Sequence, residues 1–422
     1  MKNIRAMLCA LAAAMVVIGG CAETRVTRPG IAEGATVSQL KGLHRDYLAL
    51  PAAKRRSLFR EKAYRNRMCD EGSRPEPITL AWKGAGECDV TVARARDGKV
   101  FLSARGASPV SVSSLETGER YVWCAMRDGV KVAGGTFTTA DEWPRWIGVP
   151  DAPDMRNMRD LGGGRRGLGG RRIRQGRVYR SAGLNSNAKS LYSQKDVKRM
   201  VEDGTLDRRC GRKDQAEKIK RRIAQGRQDK IDWDHVEKPQ SEWKPGVNRV
   251  SSPAAHDFLA KTLGIRTDLD LRSSRETWGM TGSPIGPEAR WIHVSSSAYG
   301  GMDNPNARDA FKKAFAVFLD EENYPIVFHC IAGADRTGTL ACILEGLLGV
   351  AEDDLYKDWE VTAFYNANLN FSLEGRFDKL IAVFGKFPGK TLNDRIEAYV
   401  HSCGFTKADI EKFRSIMLEP PE

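Results

Sequence analysis

Histidine and cysteine are scarce in this chain of 422 residues, at six and nine, and they do not cluster. No Cys-x-x-Cys pair occurs, and no Cys/His spacing of the kind that holds a metal. Neither a metal nor a cofactor is therefore expected. There is no internal repeat and no nucleic-acid-binding motif, so a nucleic-acid partner is not expected despite a formal charge of +13. Long apolar runs are absent apart from Ala6 to Gly20, which is short for a membrane span. What remains, 41% hydrophobic against 29% charged, is ordinary for a soluble globular protein long enough for two or three domains. The basic excess suits an anionic partner, through steering or simply as a basic surface.

The apolar run follows Lys2 and Arg5 and ends Val17-Ile18-Gly19-Gly20-Cys21. Its length fits an export signal. Its end resembles the cleavage box of bacterial lipoproteins, which implies a signal over residues 1–21 with Cys21 as the lipidation site. A membrane-anchored lipoprotein of a bacterial envelope is the expected location; a periplasmic or secreted protein is the alternative. Setting Cys9 and Cys21 aside leaves an odd number of cysteines, which fits one free reactive thiol, and Cys330 is the candidate. A bridge among Cys69, Cys88 and Cys124 stays open.

The most informative stretch is PIVFHCIAGADRTGTLACILEGLLG, residues 325–349. Pro325 to Phe328 reads as a buried strand. Leu340, Ile343, Leu344, Leu347 and Leu348 then recur at helical spacing until Gly349. A turn from strand into helix gathers backbone N–H groups at the positive end of a helix dipole, where a tetrahedral dianion binds. That field also favours negative charge on a cysteine sulfur at the base, here Cys330. Six positions on, Arg336 can hold two phosphate oxygens in a planar fork. Cysteine, five residues and arginine equip a chain for phosphoryl transfer through a phosphocysteine. The amides of Ile331, Ala332, Gly333 and Ala334 are the expected phosphate ligands.

HCIAGADRTG resembles the signature loop of the cysteine-dependent tyrosine phosphatases, and its Asp-Arg-Thr-Gly ending resembles the bacterial tyrosine/serine branch. Asn157 to Gly163, Tyr179-Arg180-Ser181-Ala182 and Leu263 to Glu276 agree with that branch in order. The resemblance implies Cys330 as nucleophile, Arg336 as oxyanion ligand, and Thr337 as hydroxyl donor to the departing thiolate. It gives His329, Arg159 and Asp160 supporting roles. The general acid is Asp335, inside the loop, or Asp303, in an upstream loop. The implied partner is a phosphorylated protein, with phosphotyrosine favoured because its long aryl ester reaches a deep cup. A phosphoinositide or inositol phosphate is the alternative substrate. Ala334 weighs against it, since relatives acting on such lipids often carry lysine there. A non-catalytic phosphate-binding module is the reading from another class, and the presence of both Cys330 and Arg336 opposes it.

Along the chain, residues 22–75 read as a tether and a weak helical segment. Residues 76–140 alternate like a small all-β sandwich, with Leu115 to Tyr121 resembling the tyrosine corner of fibronectin type III domains. Residues 151–422 form the expected catalytic domain, an α/β fold whose central sheet is flanked by helices. A charged insertion spans 186–247, read as a peripheral excrescence rather than a lid. Seven arginines between Arg165 and Arg180 read either as a solvated basic hairpin or as a positive rim for the cup.

Overall fold

Along Glu87–Arg94 burial alternates, with Cys88, Val90 and Val92 inward and Glu87 and Asp89 outward. That period of two is what a half-buried antiparallel strand requires. The computed structural model describes residues 31–421 except 85, 150–154, 188–193, 211–212, 227–243, 251 and 368–375. Strands β1 (Ala35–Val37), β2 (Ile78–Leu80), β3 (Glu87–Arg94), β4 (Val100–Ala107), β5 (Val110–Val112), β6 (Arg120–Arg127) and β7 (Val130–Thr139) make up the amino-terminal β region. One sheet runs β1-β7-β6-β3-β4 and a second pairs β2 with β5. Leu80, Val90, Val92, Leu115, Tyr121 and Phe137 are buried between them.

Helices α1 (Gly42–Ala49), α2 (Ala52–Arg60) and α3 (Lys62–Glu71) lie within the stretch 22–75 that read as a tether and a weak helical segment. They do not dangle. Leu40, Tyr47, Phe59 and Met68 belong to the same apolar core as the carboxy-terminal half of the chain. Arg55, fully buried, reaches Glu360 at 2.5 Å and Asp353 at 2.5 Å. The Trp146 indole donates to His44 Nδ1 at 3.0 Å. Burial, and then Lys41, drives the His44 pKa down to about 3, so its imidazole is neutral and free to accept there.

The central sheet is built from β8 (Arg159–Asp160), β9 (Val178–Ser181), β10 (Thr267–Asp270), β11 (Arg290–His293) and β12 (Ile326–His329), in the order β11-β10-β12-β9-β8. All neighbours are parallel except β8, which runs antiparallel to β9. In β12 every side chain is buried, as a middle strand covered on both faces must be. The insertion contributes α4 (Gln194–Glu202), α5 (Thr205–Arg209) and α6 (Lys213–Ala224), whose Met200, Leu206, Cys210, Ala216 and Ile219 form a small core of their own. Around the sheet lie α7 (Pro305–Val317), α8 (Arg336–Leu347), α9 (Glu352–Glu360), α10 (Phe377–Phe384), α11 (Leu392–Ser402) and α12 (Lys407–Met417). From Thr337 to Leu347, α8 is buried on every side. A reciprocal cap opens α12: Thr406 Oγ1 accepts from the Asp409 amide at 3.2 Å, and Asp409 accepts from Thr406 N–H at 2.8 Å.

Buried Arg145 ties the β region to the sheet, donating to Asp160 at 2.7 Å and to the Leu115 and Ser114 carbonyls at 3.0 and 2.8 Å. The seven cysteines among the described residues, Cys69, Cys88 and Cys124 included, are all free. Among the described residues no helix is long and apolar enough to cross a membrane. Cys21 and the proposed signal lie outside them.

Candidate active site

In an open α/β sheet, ligands meet the chain beyond the carboxyl ends of the parallel strands. Three such ends converge here. Cys330 follows β12, Ser181 closes β9, and Leu271-Arg272 follow β10. Between Cys330 and α8 the chain makes one tight loop. At Gly333 it takes φ +64°, and a Cβ there would stand 2.5 Å from the Ser181 carbonyl oxygen. Only glycine fits both the conformation and the space.

The loop's backbone groups divide by kind. Its carbonyls are engaged: Ile331 O accepts from Gly183 N–H at 2.9 Å, and Ala332 O and Gly333 O accept from Asn157 Nδ2 at 3.0 and 3.2 Å. Arg180 Nη2 adds 2.6 Å to Gly333 O, and Ala334 O accepts from Gly338 N–H at 3.1 Å. Among the described residues, no backbone N–H from Ile331 to Asp335 donates to a protein acceptor. Carbonyls tied outward with amides left over make an anion-binding nest.

A buried charge network holds this arrangement from behind. Asp358 pairs with Arg180 and, at 3.0 Å, with Arg159 Nε. Arg159 in turn donates at 2.6 Å to Asn157 Oδ1, fixing which end of that amide faces the loop. Arg159 and Arg180 are fully buried. Burial raises the cost of charge on Asp358, but Arg159 and Arg180 outweigh it and draw its pKa down to about 2. Asp160 lies elsewhere. It accepts from Arg145 and from the amides of Gly162 and Gly176, and so shapes the 160–176 loop rather than the cup.

Cys330 is 1% exposed, and Ile331, at the rim, is 39% exposed. Arg336 turns its guanidinium onto Glu276, with Nη1 and Nη2 at 2.6 and 3.0 Å from the two carboxylate oxygens. Glu276 also accepts from the Ser273 amide at 2.6 Å and its hydroxyl at 2.7 Å. Burial would raise the Glu276 pKa, yet the Arg336 hydrogen bond and charge prevail and lower it. Thr337 Oγ1 is buried with no hydrogen-bond partner among the described residues. His329 is buried in the sheet, its Nε2 2.9 Å from Asp268 Oδ1. The two groups meet as a buried ion pair when His329 is protonated.

The two candidate acids sit differently. Asp335 opens α8 but accepts no N–H from it. Its Oδ1 instead accepts from Tyr299 Oη at 2.8 Å and Arg376 Nη1 at 2.5 Å. Asp303 is on the outer surface, 2.5 Å from Lys386 Nζ and 3.7 Å from Arg308. The Lys386 hydrogen bond lowers its pKa. No residue of the Cys330 loop is among its partners.

The arginine hairpin is largely spent on structure. Arg165 is buried against Glu345 at 2.7 Å and over the Trp143 ring at 3.8 Å. Arg172 pairs with Asp141 at 2.5 Å, Arg171 donates to Glu419 O at 2.7 Å, and Arg180 backs the loop. This departs from the positive-rim expectation, because buried guanidinium groups need partners. Sequence reasoning passed over Glu276, Asn157 and Arg180 as site residues although all three lie in the quoted stretches. Their only signal was a polar residue within or near a strand of the sheet. Asp358 and Tyr299 had none.

Residues 247–419 match the model of the tyrosine phosphatase family. A candidate tyrosine-protein phosphatase of Cupriavidus necator is 31% identical over 218 residues, 51% of this chain and 63% of the relative. A tyrosine-protein phosphatase of Nostoc commune is 26% identical over 133 residues, 26% of this chain and 45% of the relative. The chain thus spans less than two thirds of the length of either relative. The stretch that matches the tyrosine phosphatase family model is the one that folds around Cys330.

Proposed function

We propose that this protein hydrolyses phosphomonoesters, phosphotyrosine in proteins first among them, through a phosphocysteine. The observation that carries the reading is the division of the loop, with carbonyls hydrogen-bonded away and the amides of Ile331 to Asp335 unclaimed by acceptors among the described residues. Those amides and Arg336 take the equatorial phosphate oxygens. The Cys330 thiolate attacks phosphorus in line, the phosphorus–oxygen ester bond breaks, and Asp335 gives its proton to the leaving aryl oxygen. Water then attacks the phosphocysteine, Asp335 takes back a proton, and the thiolate departs with a hydrogen bond from Thr337. Asp335 is preferred to Asp303 because it belongs to the loop, whereas Asp303 pairs with Lys386 and Arg308 away from it.

The phosphoinositide reading keeps one support: Arg376 places a cation beside Asp335 where Ala334 carries none. A panel of phosphotyrosine peptide, phosphoserine peptide, phosphoinositides and inositol phosphates decides between the two. Cys330→Ser should abolish turnover on whichever is cleaved, because a serine hydroxyl without an adjacent base is a poor nucleophile. Substantial activity in that variant would sink the mechanism. Export and lipidation at Cys21 belong to the same proposal. So does a fibronectin type III-like spacer over 76–140, supported by Glu116 N–H donating to Tyr121 Oη at 2.9 Å.

A further inference from the structure

We infer that Tyr299 is a positioning residue for Asp335, dictating which carboxyl oxygen carries the catalytic proton. The inference rests on Asp335 being the general acid, and the site geometry takes it further. Tyr299 is 8% exposed, and its ring reaches Asp335 from the turn Tyr299–Asp303. Among the described residues its hydroxyl meets two hydrogen-bond partners, Trp359 Nε1 at 2.9 Å and Asp335 Oδ1 at 2.8 Å. An indole N–H can only donate, so the tyrosine oxygen is the acceptor on that side. The tyrosine's own proton is thereby directed at Asp335. Burial, then the Asp335 charge, pushes the Tyr299 pKa far up, so the hydroxyl remains a donor at every working pH.

Arg376 Nη1 donates to the same oxygen at 2.5 Å. Two donors on Oδ1 leave it an acceptor only. Among the described residues nothing bonds Oδ2, which is then the oxygen that can carry a proton and hand it to a leaving group. The backbone of Tyr299 supports this design at some cost. It sits at φ +53°, a left-handed conformation disfavoured for an aromatic residue, and its N–H is pinned by Thr339 Oγ1 at 3.0 Å. Thr339 is on α8, directly after the loop, so the turn carrying Tyr299 is fastened to the helix that carries Asp335.

The test compares Tyr299→Phe, Asp335→Asn and the double variant on a phosphotyrosine peptide and on dinitrophenyl phosphate, whose leaving group hardly needs a proton. Tyr299→Phe should lose about tenfold more kcat on the peptide than on the activated ester, with KM nearly unchanged. The double variant should be no worse on the peptide than Asp335→Asn alone. Orthovanadate binding should be unaltered, since the cup itself is intact. If Tyr299→Phe does not fold, Trp359→Phe, which frees the tyrosine proton to turn away, is read in the same way. Equal losses on both esters in Tyr299→Phe, beside a leaving-group-dependent loss in Asp335→Asn, would overturn the positioning role and leave Asp335 as the acid. Equal losses in Asp335→Asn itself would overturn both.

Discussion

Arg336 needs its own partner before it can serve a substrate. A guanidinium on a five-bond stem wanders, and Glu276 takes both of its terminal nitrogens while being anchored itself by Ser273. Preorganising a charged ligand in this way commonly matters ten- to hundredfold, as outer-shell partners do at metal sites. Glu276→Gln keeps the shape and one acceptor oxygen but removes the charge. It should lower kcat/KM on phosphotyrosine peptide by about tenfold while leaving thermal stability nearly unchanged, because the pair is only partly buried. Unchanged kinetics would mean that Arg336 is oriented by substrate alone.

The element that presents the cup is the strand pair β10–β12, pinned in register with Asp270 opposite His329. Burial opposes charge on His329, but Asp270 and Asp268 outweigh it and raise its pKa above the ordinary value. A histidine whose folded pKa exceeds its unfolded value, about 6.5, stabilises fully below that pH and loses the contribution as pH rises through the folded pKa. Urea unfolding of the native protein and of His329→Gln should therefore show the largest difference near about pH 6 and a smaller one near about pH 9. A difference that grows with pH would contradict a protonated His329.

At the scale of the whole molecule, the amino-terminal helices share the apolar core of the half that carries Cys330. Phe59 packs on Trp359 with ring centroids 5.5 Å apart, and Trp359 bonds Tyr299 beside Asp335. Arg55 and Glu360 are both fully shielded from water. Arg55→Leu removes the ion-pair partner of buried Glu360 and leaves it the Tyr47 hydroxyl at 3.1 Å, which should cost about 3–5 kcal/mol of stability in denaturant titration. A cost below about 1 kcal/mol would show that the helices dock only loosely. The proposed lipid anchor has its own test: Cys21→Ala should release the protein from the membrane fraction. Retention of that variant at high salt would exclude a lipid anchor at Cys21.

Much of this was legible in the chain itself, for definite reasons. The apolar run at 326–328, the leucine spacing after Leu340 and the Cys-x5-Arg interval are local patterns, and strand, turn and helix follow from them because their interactions are short in sequence. Alternation over 76–140 pointed to strands in the same way. The polar contacts behind the loop were of another kind. Asp358 meets Arg180 across 178 positions, and Arg55 meets Glu360 across 305. Neither pairing leaves a trace in periodicity, because burial of a charge is decided by what the fold brings opposite it. The same holds for the arginines after Gly164, which read as solvated or substrate-facing until partners close over them. The sequence determined that a cysteine and an arginine would share one loop between a strand and a helix. Only tertiary structure decided which carboxylates, amides and hydroxyls would hold that loop, since those contacts depend on distance in space rather than along the chain.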